Sequence, residues 1–163
     1  MTTLDMLIRL AVFAASFAAL FAAHSFGDHW YGQTHKQALG KGARGKHAHE
    51  GRKHCLGHVL LLTGHKVAFL VSICLVTGLR PSLLFVTVGL LVDAVSHYWA
   101  DRRFTLQWLA EHTGKGEFYQ LGSNTVDAAG KQAFHLGTGA HALDQSWHIG
   151  WLFIAALIIA AGA

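Results

Sequence analysis

The sequence predicts an all-α integral membrane protein, a four-helix bundle threaded up-down-up-down with two polar cytoplasmic loops. Two observations lead to this prediction. Of the 163 residues, 52% are hydrophobic and only 13% are charged, against about 25% charged residues in an ordinary soluble domain. The apolar residues are also concentrated in blocks, each near the length of about 20 residues that a membrane-spanning helix needs. We therefore expect residues 1–163 to form a single transmembrane domain.

Four apolar segments are predicted to be spanning helices. They cover about residues 6–27, 54–79, 82–101 and 140–162. The dipeptide Arg80-Pro81 separates the second helix from the third, because proline ends one helix or begins the next. Within the polar stretch that precedes the last helix, short helices are expected around residues 106–112 and 125–134.

Basic residues indicate how the bundle is oriented. The two long polar stretches, which follow the first and third helices, hold ten of the 13 Lys and Arg residues. By the positive-inside rule both stretches are predicted to be cytoplasmic and both termini outside, in a bacterial inner membrane. The net charge of +4 suits contact with the bilayer's anionic lipids or with a phosphorylated substrate. No basic helix or stacking motif indicates nucleic-acid binding, and no motif specifies an oligomer, although a homo-oligomer stays open.

Each predicted helix carries a histidine–aspartate or histidine–histidine pair near one end, four residues apart. This spacing places both side chains on one face of a helix. Up-down-up-down threading brings all the pairs to the cytoplasmic end. The pairs are His24 with Asp28, His54 with His58, His97 with Asp101, and Asp144 with His148. Polar groups at membrane depth are costly, so such a cluster is a candidate functional site.

Three interpretations of this cluster follow from its chemistry. Imidazole and carboxylate groups suit Zn²⁺, Mn²⁺ or Fe²⁺, and helical bundles build such centres from side chains on different helices. The predicted metal ligands are His54, His58, His97 and Asp101, followed by His24 and Asp28. The cluster could instead be a hydrogen-bonded network that locks the helices together, or a pathway for protons or ions.

A second polar level is predicted deeper in the bundle. Lys66 needs a counter-charge in the apolar slab, and the threading places Asp93 at a comparable depth, so we expect a structural ion pair rather than a proton relay. His65 is expected at the same level. Residues 149–163 carry no polar side chain beyond the indole of Trp151, which favours a site that opens to one side of the membrane.

With these residues in place, the chain resembles an uncharacterised family of bacterial and phage membrane proteins, catalogued as domain of unknown function 3307. The resemblance covers all the predicted helices in order. The matching segments are His24-Ser-Phe-Gly-Asp28 followed by Gln33 and Lys41, His54-Cys-Leu-Gly-His58, His97-Tyr-Trp-Ala-Asp101-Arg102, and Asp144-Gln145-Ser-Trp-His148. The interval from Asp28 to Gln33 is a residue longer than in the family's pattern. The resemblance implies the fold and the set of polar residues, and no reaction.

The leading functional hypothesis is a membrane-embedded, metal-dependent hydrolase. A divalent ion lowers the pKa of a bound water and polarises the scissile bond. Asp144 is expected to be a general base or a ligand, and His148 an acid or a partner of the ligands. Gln33, Lys41 and Gln145 are expected to bind an anionic substrate, such as a phosphate-bearing lipid. The alternatives are a proton or metal-ion transporter or channel, and a non-enzymatic membrane accessory protein, so whether the chain is an enzyme stays open.

Overall fold

The structure is a computed structural model that describes residues 2–126, 132–134 and 137–163. Its elements, in chain order, are α1 (Thr3–Phe26), a π-helical turn (Gly27–Tyr31), α2 (His35–Gly40), a 3₁₀ turn (Gly45–His47), α3 (Ala48–Thr77), α4 (Leu83–Asp101), α5 (Phe104–His112), α6 (Gly116–Tyr119), β1 (Asn124–Val126), β2 (Gln132–Phe134) and α7 (Thr138–Ala161). Strands β1 and β2 form a small antiparallel hairpin. All other regular structure in the described part of the chain is helical, so the predicted all-α fold is confirmed.

Four helices are long and apolar enough to cross a membrane. They are α1 with its π-helical turn, α3 with its 3₁₀ turn, α4 and α7. Their outer faces carry large apolar side chains, and Leu75, Val76 and Leu83 are each at least 79% exposed. Exposed apolar surface on this scale is stable against hydrocarbon and costly in water. In the part of the chain that the structure describes, the four predicted apolar helices therefore have the length and composition of a membrane protein.

Helix α3 begins before the apolar segment that predicts it. It starts at Ala48 rather than at residue 54, and its first turns hold the exposed pair of Lys53 and Glu50, 3.3 Å apart. Hydrophobic periodicity identifies the apolar part of a helix and misses polar turns that extend it. The stretch before α3, predicted as a polar loop, also contains α2, which begins with a capping box formed by Thr34 and Gln37.

The two short helices predicted after α4 have different outcomes. The helix expected at 106–112 is present as α5. The helix expected at 125–134 is wrong at both its ends, where β1 and β2 pair, while residues 127–131 lie outside the described residues. The β-branched Thr125 and Val126 suit a strand better than a helix, and pairing with β2 satisfies their backbone groups.

Helix α7 packs against both α4 and α1 and approaches α4 closely. Gly89 of α4 lies where an added Cβ would be 2.9 Å from the carbonyl oxygen of Ala155. Small residues of this kind let the backbones of spanning helices approach each other. Around this contact an apolar cluster fills one half of the bundle, and its buried members are Val12, Ala19, Leu20, Leu70, Leu90, Leu152, Ala155, Ala156, Ile159 and Ala160.

One ion pair is buried between α3 and α4. Lys66 and Asp93 are each 1% exposed, and Lys66 Nζ donates to Asp93 Oδ2 at 2.5 Å, as the sequence predicts. His65 does not join them. Its Nδ1 donates to the carbonyl oxygen of Leu61 at 2.9 Å, on a different face of α3, because adjacent residues on a helix point about 100° apart.

Removing one partner of this pair is expected to destabilise the bundle. Lys66→Met leaves the Asp93 carboxylate buried without a counter-charge, at a cost of about 3–5 kcal/mol. The double variant Lys66→Met/Asp93→Leu should recover most of this loss, since an apolar pair of similar volume is often neutral or stabilising. The measurement is the Tm in detergent, followed by circular dichroism.

Lys53→Met, in the exposed pair with Glu50, is the matched control and should leave the Tm unchanged. Equal losses of Tm in the single and double variants would contradict a charge-based role for Lys66.

Candidate metal centre

Buried imidazole and carboxylate groups from α1, its π-helical turn, α3, α4 and α7 meet in the half of the bundle away from the apolar cluster. Each member of the set is 7% exposed or less, and the set comprises His24, Asp28, His58, His97, Asp101 and His148. The predicted convergence of polar groups from all the spanning helices is therefore present. Two overlapping groups could hold a metal ion, Asp28 with His58 and His97, and His97 with Asp101 and His148.

Four of these side chains each direct one polar atom toward a common point. His58 Nε2 lies 3.1 Å from His97 Nε2, 3.1 Å from Asp28 Oδ1 and 3.1 Å from Asp101 Oδ2. His97 Nε2 and Asp101 Oδ2 are 3.3 Å apart. A tetrahedral ion with ligand bonds of about 2.0–2.1 Å holds its ligand atoms about 3.3 Å apart. These four separations are close to that value, so the part of the cluster around His58 Nε2 has spacings suited to the ligands of a small metal ion.

A backbone carbonyl fixes the protonation of His58. His58 Nδ1 lies 2.6 Å from the carbonyl oxygen of Gly32, and because that oxygen can only accept, Nδ1 carries a proton. In a neutral imidazole, Nε2 then presents a lone pair. This lone pair faces Asp28 Oδ1 and Asp101 Oδ2, which both lack a hydrogen-bond donor. Buried acceptors this close repel one another unless a cation or a proton lies among them, so the arrangement suits a metal ion, or protons on His58 or on His97 Nε2.

Asp28 reaches the centre through the π-helical turn, which the sequence analysis does not predict. The Gly32 amide donates to the Gly27 carbonyl, and a Cβ on Gly32 would clash with that same oxygen. Only glycine fits there, and the Gly32 carbonyl stays available for His58. π-helical turns often occur at functional sites. The sequence contained one signal for this turn: the interval from Asp28 to Gln33 is one residue longer than in the family that the chain resembles.

The second oxygen of Asp101 pairs with Lys41. Lys41 Nζ donates to Asp101 Oδ1 at 2.7 Å, and both side chains are buried. Arg102 holds the backbone that carries this lysine, because its Nη1 donates to the Lys41 carbonyl at 2.9 Å and its Nη2 to the Ala43 carbonyl at 2.8 Å. The glycine-containing stretch before α3 is thereby docked onto the end of α4, with its lysine directed at the centre.

Gln145 connects the remaining carboxylates. Its Nε2 donates to Asp28 Oδ2 at 3.1 Å and to Asp144 Oδ2 at 3.3 Å, while its Oε1 lies 3.4 Å from His24 Nε2. The other Asp144 oxygen is 3.4 Å from His148 Nε2. Gln145 therefore orients Asp28, in addition to the substrate-binding role that the sequence predicts for it.

His54 lies apart from the other predicted ligands. Its ring covers Gly40 of α2, where an added Cβ would be 2.5 Å from His54 Cδ2. In the described part of the chain no group of metal-binding atoms includes it. Its place as a first-choice ligand is corrected because four residues of helix rise carry it about 6 Å beyond His58, toward α2. His24 also belongs to neither group, although its ring centroid lies 5.0 Å from that of His148.

A polar cavity of about 190 Å³ lies beside the centre. Its lining includes Asp28, Gln33, Lys41, Asp101, Arg103, Tyr119, His141, Asp144 and Gln145. The sequence therefore identifies most of its polar residues. Gln33 donates through Nε2 to the Asp28 carbonyl at 3.1 Å, which leaves its buried Oε1 without a partner.

Two residues of the cavity wall, Arg103 and Tyr119, were missed because no spacing marks them. Arg103 has a φ of 59°, alone among the non-glycine residues described, and its Nη2 donates to the Ala38 carbonyl at 2.6 Å. Strained backbone of this kind occurs at functional sites. Burial raises the pKa of Tyr119, and its protonated hydroxyl donates to the Arg103 carbonyl at 3.4 Å.

Comparisons of the chain with protein-family models, with curated proteins and with solved structures find no match. Membership of the family that the sequence resembles therefore stays a prediction. The functional argument rests on the geometry of the centre and its cavity.

Proposed function

We propose that this protein is a membrane-embedded hydrolase that depends on one divalent metal ion, Zn, Mn or Fe. The observation that carries this proposal is the convergence of His58 Nε2, His97 Nε2, Asp28 Oδ1 and Asp101 Oδ2 within the bundle. Two imidazoles and two carboxylates suit all three ions. The bond from His58 Nδ1 to the Gly32 carbonyl is the outer contact that metal-binding histidines usually make.

The charges around the centre favour one ion over two. Asp28, Asp101 and Asp144 supply three negative charges and Lys41 one positive charge, which leaves two negative charges among groups linked by direct contacts. One divalent cation neutralises them, whereas a second would leave uncompensated buried charge. Lys41 also occupies the Asp101 oxygen that faces His148, where a second ion would need to bind.

The cavity beside the centre supplies the other groups that hydrolysis needs. The bound ion would polarise the scissile bond and acidify a water. The Asp144 carboxylate, 16% exposed and 3.4 Å from His148 Nε2, is placed to accept a proton from the attacking water as general base. Lys41 and Arg103 in the cavity wall provide positive charge for an anionic, phosphate-bearing substrate.

We also infer an up-down-up-down threading with the centre at the cytoplasmic end. The end of α1, the first half of α3, the end of α4 and the first half of α7 all contribute to one centre, as alternating helix directions require. At the other end, Arg9 Nε donates to the Ala163 carbonyl at 3.2 Å, which supports termini on the same side. With the basic polar stretches inside, this arrangement supports a bacterial inner-membrane protein of the family that the sequence resembles.

A transporter or channel has less support. Beyond the pair of Lys66 and Asp93, the bundle is filled by side chains such as Leu20, Leu152 and Ile159, which have no exposed surface. An apolar core of this kind opposes the passage of protons and ions. A centre that opens into a cavity at one end of the bundle suits an enzyme better than a through-path.

Metal content tests the centre. Protein purified in detergent without chelators should contain about one Zn, Mn or Fe per chain, a stoichiometry that follows from the charge balance. His58→Ala and Asp101→Ala should each lose most of it, because each removes a ligand atom from the common point. The measurement is elemental analysis by mass spectrometry.

His54→Ala is the matched control for metal content, because it makes the same substitution one helical turn away on α3. It should keep the ion. A metal-free wild type, or a His54→Ala variant that loses as much metal as His58→Ala, would contradict the proposed ligand set.

Removing the proposed base should separate catalysis from metal binding. Asp144→Asn is expected to lower kcat by about 10²–10⁴-fold with an unchanged metal content, measured as release of the alcohol from water-soluble phosphate mono- and diesters. Glu111→Gln, at an exposed carboxylate of α5, should leave kcat unchanged. Full activity in metal-loaded Asp144→Asn would rule this residue out as the base.

A further inference from the structure

An apolar groove adjoins the polar cavity. It has a volume of about 310 Å³ and lies between α5 and α7, with walls that include Leu109, Leu143, Trp147, Trp151 and Ile154. Leu106 belongs to the linings of both the groove and the polar cavity. The two spaces therefore adjoin at this side chain, with Leu106 between them.

We propose that the substrate of this centre is a phosphate-bearing lipid, with its head in the polar cavity and its hydrocarbon tail in the groove. This inference rests on the hydrolase function proposed above and adds the class of substrate to it. Hydrolysis would break the P–O bond between head and tail. Water supplies the hydroxyl that bonds to phosphorus, and the oxygen that leaves with the tail takes up a proton.

The polar cavity suits the head of such a molecule and excludes its tail. Lys41 and Arg103 line it and attract an anion. His29 and His141, both exposed, add imidazole rings with centroids 6.0 Å apart to the same wall. Three carboxylates share this space, so burying a hydrocarbon chain here would desolvate charged groups at a high cost. The chain must therefore leave the cavity.

The groove offers a preformed apolar surface for the tail. Trp147 Nε1 donates to the Ser96 carbonyl at 3.3 Å, and its ring stacks on Trp99 with centroids 4.8 Å apart. The indole is thus fixed with its apolar face in the groove. Gly150 lines the groove and carries no side chain into it. A Cβ added there would meet no atom within 4 Å, so the space beside it is open.

The position of the groove favours a lipid over a partner protein. One wall is α7, a helix apolar enough to span a membrane, so hydrocarbon chains have direct access. An unrelated bilayer lipid could cover the groove, but it would not place an anionic group in the polar cavity beside Lys41 and Arg103. A single amphiphile that extends past Leu106 would occupy the polar cavity with its head and the groove with its tail.

The location of the tail can be tested by crosslinking. The probe is dodecyl phosphate with a diazirine at the end of the chain, added to the full, metal-loaded protein in nanodiscs. Crosslinks mapped by mass spectrometry should concentrate on Trp151 and Ile154 and should decrease with excess inorganic phosphate. Crosslinks spread over all lipid-facing helices, as expected for a dodecanol probe with the same diazirine, would overturn the inference.

Chain-length dependence gives the second readout. Gly150→Leu adds a side chain at the groove wall, where its Cβ has open space, and it should lower kcat/KM for dodecyl phosphate at least about tenfold, the scale on which apolar pockets discriminate. Its kcat/KM for ethyl phosphate and its metal content should not change. Gly64→Leu is the matched control, because Gly64 of α3 also has no atom within 4 Å of an added Cβ, and it should affect neither substrate.

The two proposals fail separately in these experiments. If ethyl phosphate is cleaved but Gly150→Leu leaves the kcat/KM for dodecyl phosphate unchanged, the lipid inference is wrong and the hydrolase function stands. If no phosphate ester is cleaved but phosphate-sensitive crosslinks concentrate in the groove, the hydrolase function is wrong and the groove is a phospholipid-binding site.

Discussion

Ring nitrogens of His58 and His97 and carboxylate oxygens of Asp28 and Asp101 face one another inside the bundle, and buried carboxylates this close are stable only with positive charge among them. These residues come from the π-helical turn after α1, from α3 and from α4. A proton or metal ion held among them would therefore also tie the helices together. Hydrophobic association is weak between helices that are already in lipid, so the same charge has a structural role and a chemical one.

The groups around the centre restrict it to one geometry. The Gly32 carbonyl orients His58, Gln145 orients Asp28, and Lys41 holds one oxygen of Asp101. Arg102 in turn fixes the backbone of Lys41. Such supporting contacts hold ligand atoms in place before an ion binds. They also explain why a chain with few charged residues buries several of them at one end of the bundle.

The spanning helices and most of the centre are predictable from the sequence, because both depend on regular spacing along a helix. The pair of His97 and Asp101, for example, faces inward as its four-residue interval predicts. Three features depend on tertiary contacts instead. The π-helical turn has no periodic signature, α2 packs Gly40 against the ring of His54, and the docking of segments after α4 brings Arg103 and Tyr119 into the cavity.

X-ray absorption at the edge of the bound metal tests most directly whether His58, His97, Asp28 and Asp101 bind one ion. The samples are the wild-type protein and the His58→Ala variant reloaded with the same ion. In the wild type we expect two imidazole nitrogens and two carboxylate oxygens at about 2.0–2.1 Å from the metal. His58→Ala should lose half of the imidazole signal. A wild-type spectrum with oxygen neighbours alone, or a His58→Ala spectrum identical to it, would contradict a metal held at this point.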